Sequence, residues 1–263
     1  MSDEPLEVET VDDRLVLTLA DPDVRNAISL DMATALLDEF ESLDPSIRCV
    51  VVQGSGGTFC AGGDVGAMIE GVATEMPVDT RIEDYAVPTN RAVQAVYECP
   101  LPTVAKVDGP AFGAGAALAI ACDLVLASDR ARISFGFRQV GLSVDSGTSA
   151  LLARQVGESV AMDLVFTGEL LEAERAHDLG LFTRCFDEDE FEQRAAGLIE
   201  RVAGGPTVAL RHSKRLLKRG RTRPVGEAID AELEALSETL ASADHAEGAT
   251  AFMEQRDPEF VGE

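Results

Sequence analysis

The pattern of apolar and polar positions predicts a strand and then a helix near the start of the chain. Leu15, Leu17 and Leu19 recur at every second position, as in a strand with one face buried. Ser29 is a residue type that suits a helix N-cap, and apolar residues recur at helical spacing directly after it. The predicted buried face of this helix consists of Leu30, Ala33, Leu36, Leu37 and Phe40.

Further along the chain, short apolar runs alternate with turns and helices. The segments "CVVVQGSG", "PTVAKVDG", "CDLVLAS" and "ARISF" predict short strands, and the first is apolar enough to be buried on both faces. From residue 140 onward the pattern is a turn followed by almost continuous helix. This alternation predicts an α/β fold, with a core over residues 1–200 and a helical region over residues 201–263 that form one functional unit.

The net charge of the chain indicates which partners and which salt conditions suit the protein. Its 263 residues include 47 acidic and 22 basic ones, for a formal net charge of −25. Such a surface argues against binding nucleic acid or an anionic membrane. Charges of one sign repel each other at low salt and are screened at molar salt, so the sequence predicts a halophilic protein. The acidic start of the chain lacks the apolar segment of a secretory signal, and cytoplasmic localisation is predicted.

Two glycine-rich segments are candidates for chemistry: "CAGGD" (Cys60–Asp64) and "FGAGAA" (Phe112–Ala117). Each follows a predicted strand and leads into a helix, whose first N–H groups lack partners and favour negative charge. Neither segment matches a phosphate loop or a dinucleotide-binding loop. Taken alone, small residues in such loops also serve close packing of a helix on a sheet, so both interpretations stay open. The five cysteines form no paired motif and no cluster with histidine, so no metal site is predicted.

Five segments, in order from about Arg14 to Phe260, resemble the crotonase superfamily, also called the enoyl-CoA hydratase/isomerase family. They are "RNAISLDM", "GGTFCAGGDVGAM", "PTVAKVDGPAFGAGAALAIACDLVLAS", "TGELLEAERAHDLGL" and "SADHAEGATAFMEQRDPEF". The resemblance implies the ClpP/crotonase-like fold, a spiral of ββα units whose C-terminal helices form a homotrimer or a dimer of trimers. It also implies an acyl-CoA substrate, with coenzyme A entering as part of that substrate and no permanently bound cofactor.

The resemblance also assigns residues to the two glycine segments. The backbone N–H groups of Gly63 and Ala114 are expected to bind the thioester oxygen and to stabilise the enolate-like charge. Asp64 is expected to cap the next helix. The length of the acyl chain is expected to be set largely by the 70–97 region, with Met68, Ile69, Met76 and Ile82 as nearby candidates. The residues expected to contact coenzyme A are Arg25, Ala27, Ala61, Gly62 and Val65.

The expected proton carrier differs from that of the family's hydratases. By the same resemblance, the hydratases use two glutamates, and the matching positions here hold Ala117 and Phe137. Asp145, in "GLSVDSGT", matches the acid of the isomerase branches. An aspartate before a helix is also commonly a cap. The sequence therefore predicts an enoyl-CoA isomerase. A hydratase, a phenylacetate-pathway epoxide-CoA isomerase and a CoA-binding protein with little catalysis are the alternatives.

Overall fold

The computed structural model describes residues 4–263, in which nine strands form two sheets. The strands are β1 (Leu6–Val11), β2 (Arg14–Leu19), β3 (Cys49–Gly54), β4 (Thr103–Val107), β5 (Pro110–Phe112), β6 (Leu124–Ser128), β7 (Arg132–Ser134), β8 (Leu171–Glu172) and β9 (Arg184–Phe186). The larger sheet has the order β1-β2-β3-β4-β6-β9, in which only the first pair is antiparallel. The smaller sheet has the order β5-β7-β8. The first glycine loop follows β3 of the larger sheet, and the second begins at the end of β5 in the smaller sheet.

The helices separate into those that cover the sheets and those that extend from them. They are α1 (Leu30–Glu41), α2 (Val65–Ala73), α3 (Val78–Arg81), α4 (Val87–Glu98), α5 (Ala114–Ala121), α6 (Thr148–Val156), α7 (Glu158–Thr167), α8 (Ala173–Asp178), α9 (Glu188–Ala203), α10 (Thr207–Gly220), α11 (Val225–Leu240) and α12 (Ala243–Glu254). A π-helical turn over Ile82–Ala86 joins α3 directly to α4. Within residues 4–263, no helix is both long and apolar enough to cross a membrane.

Both faces of the larger sheet are covered, as its apolar strands require. On one face α1, α4 and α5 form the main core, and every residue of α5 is buried. This explains why α5 is made of small and apolar residues: it has no solvent-facing side. On the other face, Phe191, Ala195 and Ile199 of α9 pack against Cys49 and Val51 of β3.

The first predicted helix is confirmed, but in its buried face Met32 replaces Leu30, and Leu37 is only partly buried. The Ser29 hydroxyl accepts a hydrogen bond of 3.2 Å from the Met32 amide, so Ser29 is the N-cap. Met32 is fully buried, whereas Leu30 is 49% exposed. The prediction for Leu30 was wrong because this side chain lines the cavity described below.

The basic segment at residues 211–223 lies mostly on α10, and two of its lysines bind that helix to the core. The carboxylate of Asp123 pairs with Lys214 at 2.6 Å and with Lys218 at 2.9 Å. The two amino groups also donate to the carbonyls of Leu101 and Tyr97. Two of the few cations of this acidic chain are therefore paired inside the protein.

Candidate active site

A cavity of about 1360 Å³ lies where the glycine loops, α2 and the α3–α4 segment meet. Its volume suits a long organic ligand. The three residues predicted to act in the reaction, Gly63, Ala114 and Asp145, all line this cavity. The structure therefore brings together three positions that are up to 82 residues apart in the sequence.

Backbone hydrogen bonds join the two glycine loops to each other. The Phe112 amide donates to the Cys60 carbonyl at 2.9 Å, and the Cys60 amide donates to Pro110 at 3.1 Å. A third segment joins the first loop where the Ile28 amide donates to the Gly62 carbonyl at 2.7 Å. The spacing between the loops is therefore fixed by main-chain contacts and not by side chains.

The amides of Gly63 and Ala114 are both free at the cavity wall. Neither N–H donates a hydrogen bond to any atom of residues 4–263. Ala114 is the first residue of α5, where the helix dipole adds partial positive charge. The loops touch at Gly62, where a Cβ atom would lie 3.5 Å from the Ala114 nitrogen. The two donors are thus held near each other and can bind an oxygen that gains negative charge.

Small residues behind this wall also serve close packing. A Cβ atom at Gly115 would lie 2.4 Å from the Cys60 carbonyl oxygen, so any larger residue would separate α5 from the first loop. Burial raises the pKa of the Cys60 thiol to about 12, so this side chain stays a neutral packing group. Packing and anion binding are therefore two consequences of the same glycine pattern.

The aspartate that follows the first loop has a structural role. The Asp64 carboxylate accepts a hydrogen bond of 3.0 Å from the Ala67 amide and caps α2, as predicted.

The carboxylate of Asp145 is half-buried and does not cap a helix. The N-cap of α6 is Gly147, and only the main-chain carbonyl of Asp145 accepts a bond from Thr148. Among residues 4–263, the hydrogen-bond donor to its side chain is the Ser146 hydroxyl, at 2.9 Å. Burial raises the pKa of Asp145, and the Ser146 hydrogen bond lowers it in part. A carboxylate in such surroundings can exchange a proton with a ligand in the cavity.

A side chain of α4 holds the turn that carries Asp145. The side-chain oxygen Oδ1 of Asn90 accepts a hydrogen bond of 2.7 Å from the Ser146 amide, and Nδ2 of Asn90 donates to the Ala86 carbonyl at 2.6 Å. Ser146 adopts a left-handed conformation with φ of 51°, which this contact helps to hold. Neither Asn90 nor Ser146 was predicted from the sequence, because no local pattern links residues 56 positions apart.

The chain is similar to known proteins over nearly its whole length. The family model for "Enoyl-CoA hydratase/isomerase" matches residues 12–263. The chain belongs to the enoyl-CoA hydratase/isomerase family.

A Rhodobacter capsulatus relative named "Probable enoyl-CoA hydratase" is 34% identical over 100% of both chains. The 1,2-epoxyphenylacetyl-CoA isomerase of Escherichia coli is 31% identical, over 94% of this chain and 95% of that protein. The crystal structure of an enoyl-CoA hydratase from Polaromonas sp. JS666 superposes with a TM-score of 0.90 at 28% identity, over 97% and 99% of the two chains. The resemblance to the crotonase superfamily and its fold is confirmed.

The family's two hydratase glutamate positions are occupied by apolar residues in different surroundings. Ala117 is fully buried within α5 and does not line the cavity. Phe137 lines the cavity and is 6% exposed. No carboxylate reaches the cavity from either position.

The residues expected to contact coenzyme A fall into two groups in this family member. Ala61, Gly62 and Val65 line the cavity. Arg25 and Ala27 do not line it, although the Arg25 carbonyl accepts the Ala61 amide at 3.0 Å and so supports the first loop. Ala27 is buried beneath this turn.

The apolar wall around α2 and the π-helical turn was only partly predicted. Met68, Ile69 and Ile82 line the cavity as expected, whereas Met76 does not. Met76 lies in the turn after α2, where its amide bonds to the Gly71 carbonyl at 2.9 Å. Arg81 and Tyr85, which the sequence analysis did not single out, line the cavity as well.

Proposed function

We propose that this family member is an enoyl-CoA isomerase that moves a double bond along the acyl chain. The observation that carries the proposal is the Asp145 carboxylate, which caps no helix and lines the same cavity as the two free amides. The apolar residues at Ala117 and Phe137 support isomerisation over hydration, since addition of water in the family's hydratases uses acids at those positions.

The proposed reaction begins with binding of the thioester oxygen. The amides of Gly63 and Ala114 donate hydrogen bonds to that oxygen and make the protons on C2 more acidic. Asp145 accepts a C2 proton, the electron pair spreads onto the thioester oxygen, and Asp145 returns the proton at C4. The double bond thereby moves from C3–C4 to C2–C3, and no atom is gained or lost. One fixed donor of this kind contributes roughly 10²–10³ in rate.

The Asp145→Asn variant tests the proposal, because it removes the proton carrier with little change in size. Turnover of 3-enoyl-CoA and proton exchange at C2 are expected to fall by about 10²–10⁴. Binding of a saturated acyl-CoA, measured by calorimetry, is expected to persist. Asp38→Asn, on the exposed side of α1, is the matched control for loss of one negative charge and is expected to retain full activity.

Three outcomes of this experiment would contradict the proposal. Unchanged turnover in Asp145→Asn would remove the aspartate from the mechanism. Hydration of 2-enoyl-CoA as the main activity of the natural protein would favour the hydratase alternative. Tight binding of acyl-CoA without any turnover would favour a CoA-binding protein.

A second candidate is isomerisation of a ring-epoxidised aromatic CoA ester. The 31% identity to the 1,2-epoxyphenylacetyl-CoA isomerase of Escherichia coli favours it. Measuring this ester beside 3-enoyl-CoA, with kcat/KM for each, separates the two candidates.

The predicted homotrimer, or dimer of trimers, also stays a proposal. What supports it is the apolar surface of the C-terminal helices, where Leu217, Phe252 and Met253 are 79%, 82% and 80% exposed. Exposed apolar side chains of this size are typical of surfaces that another protein chain covers.

A further inference from the structure

The cavity wall contains one arginine without a partner. Arg81, the last residue of α3, lines the cavity. Its side chain makes no hydrogen bond and no ion pair with any atom of residues 4–263, and its Nε atom is buried without a partner. A buried donor that lacks an acceptor costs about 1–3 kcal/mol. Arg81 therefore carries hydrogen-bond donors that residues 4–263 do not satisfy, at the wall of a cavity that a ligand can enter.

The missing partner is notable in a chain with so many acids. The formal net charge is −25, and Asp84 lies three residues after Arg81, at helical spacing for an ion pair. No ion pair forms between them. In contrast, Arg130 and Arg256 each contact two carboxylates. Arg81 is thus directed away from the acids that surround it in sequence and toward the cavity.

Arg81 lies far from the reacting groups. Its stem packs against α2 at Gly71, where a Cβ atom would lie 2.9 Å from the Arg81 Cδ atom. Gly71 is seven residues beyond Asp64, which corresponds to about 10 Å along α2 from the oxyanion loop. Along the α3–α4 segment, Arg81 precedes Asn90 by nine residues, or about 13 Å. Along both paths Arg81 is separated from the oxyanion loop and from the turn of Asp145 by about 10 Å or more.

The charges that line the cavity are unevenly distributed. The carboxylates of Asp31, Asp64 and Asp145 line it, and within residues 4–263 Arg81 is the one basic residue that does so. Tyr85, four residues after Arg81, also lines the cavity and has a phenolic hydroxyl that can bind a polar group. A negative group on a ligand would be repelled by the carboxylates and stabilised beside Arg81.

We propose that Arg81 binds a carboxylate at the far end of the acyl chain, so that the substrates are CoA thioesters of dicarboxylic acids. A guanidinium group matches the planar geometry of a carboxylate and can donate two parallel hydrogen bonds to it. The proposal rests on the proposed function only in that the ligand is an acyl-CoA, and it does not depend on which reaction follows.

Calorimetric titration with saturated thioesters tests the proposal without any turnover. The ligands are an ω-carboxyacyl-CoA, the ω-methyl acyl-CoA of equal chain length and free coenzyme A, each measured over several chain lengths. The natural protein is expected to bind the ω-carboxyacyl-CoA at least tenfold more tightly than its ω-methyl analogue. Arg81→Gln is expected to weaken binding of the ω-carboxyacyl-CoA by about 10- to 100-fold and to leave the other two dissociation constants unchanged. Arg81→Lys is expected to retain part of the preference.

The matched control is a second arginine that lies outside the cavity. Arg91→Gln removes an exposed arginine of α4 that does not line the cavity, and it is expected to change none of the three dissociation constants. Equal affinity of the natural protein for the ω-carboxyl and ω-methyl ligands would overturn the proposal. Equal weakening of all three ligands in Arg81→Gln would overturn it as well, because the partner of Arg81 would then be a phosphate of coenzyme A. Failure of the isomerase assay has no bearing on these binding results.

Discussion

Replacement of Gly62 by alanine tests whether the contact between the two loops creates the anion-binding site. Gly62 has a φ of 100°, a conformation that costs a residue with a side chain about 1–3 kcal/mol. The new Cβ atom would also lie 2.7 Å from the Phe112 carbonyl oxygen, too close to be accepted without a backbone shift. That shift separates Gly63 from Ala114. Loss of one aligned donor lowers the rate by roughly 10²–10³.

The assay is kcat for isomerisation of 3-enoyl-CoA, together with urea unfolding to measure stability. Gly62→Ala is expected to lose at least a hundredfold in kcat and about 1–3 kcal/mol in the free energy of unfolding. Gly180→Ala is the matched control, since Gly180 has a φ of 82° but no atom within 4 Å of the added Cβ. It is expected to be destabilised with kcat unchanged. A Gly62→Ala enzyme with a kcat near that of the natural protein would refute the reasoning.

Two other predictions concern Asp145 and the surface charge. Ser146→Gly removes the hydroxyl that lowers the pKa of Asp145, and glycine tolerates the φ of 51°. The pKa of Asp145 then rises further, so the acidic limb of the kcat/KM profile is expected to move to higher pH, since the base acts only when deprotonated. An unmoved limb would show that this bond does not control Asp145. For the whole protein, with its net charge of −25, the free energy of unfolding is expected to rise from low to molar potassium chloride. Equal stability at both salt concentrations would contradict the expected halophilic behaviour.

Elements with a local pattern could be predicted from the sequence. Strand β2 and helix α1 follow from the spacing of apolar residues and from the hydroxyl of Ser29. The two glycine loops were found because glycine is the residue that permits close approach of backbone segments. Each loop packs against the other, which lies more than 50 positions away, and neither local pattern shows this pairing. The resemblance to a family indicated that the two loops act together.

Features that depend on contacts between distant segments could not be predicted. Asn90 looks like an ordinary polar residue on a helix, and its role appears only when Ser146 is folded against it. The main-chain role of Arg25 was not predicted either: its carbonyl accepts the Ala61 amide and supports the first loop, whereas its contact with coenzyme A stays a prediction. Sequence position gives the place of a residue on the backbone, whereas the direction of its side chain depends on the packing of the whole fold.

The pairing of every lysine with a carboxylate has a practical consequence for chemical labelling. The chain has three lysines, and the amino group of each is bonded: Lys106 to Glu192 at 2.5 Å, and Lys214 and Lys218 to Asp123. Lysine amines are the usual targets of acylation, and an acyl-CoA is itself an acyl donor. A protein with so few available amines offers such a donor little to modify. Dyes and surfaces that react with lysine would label this protein poorly for the same reason. A cysteine introduced on an exposed helix is the better labelling site.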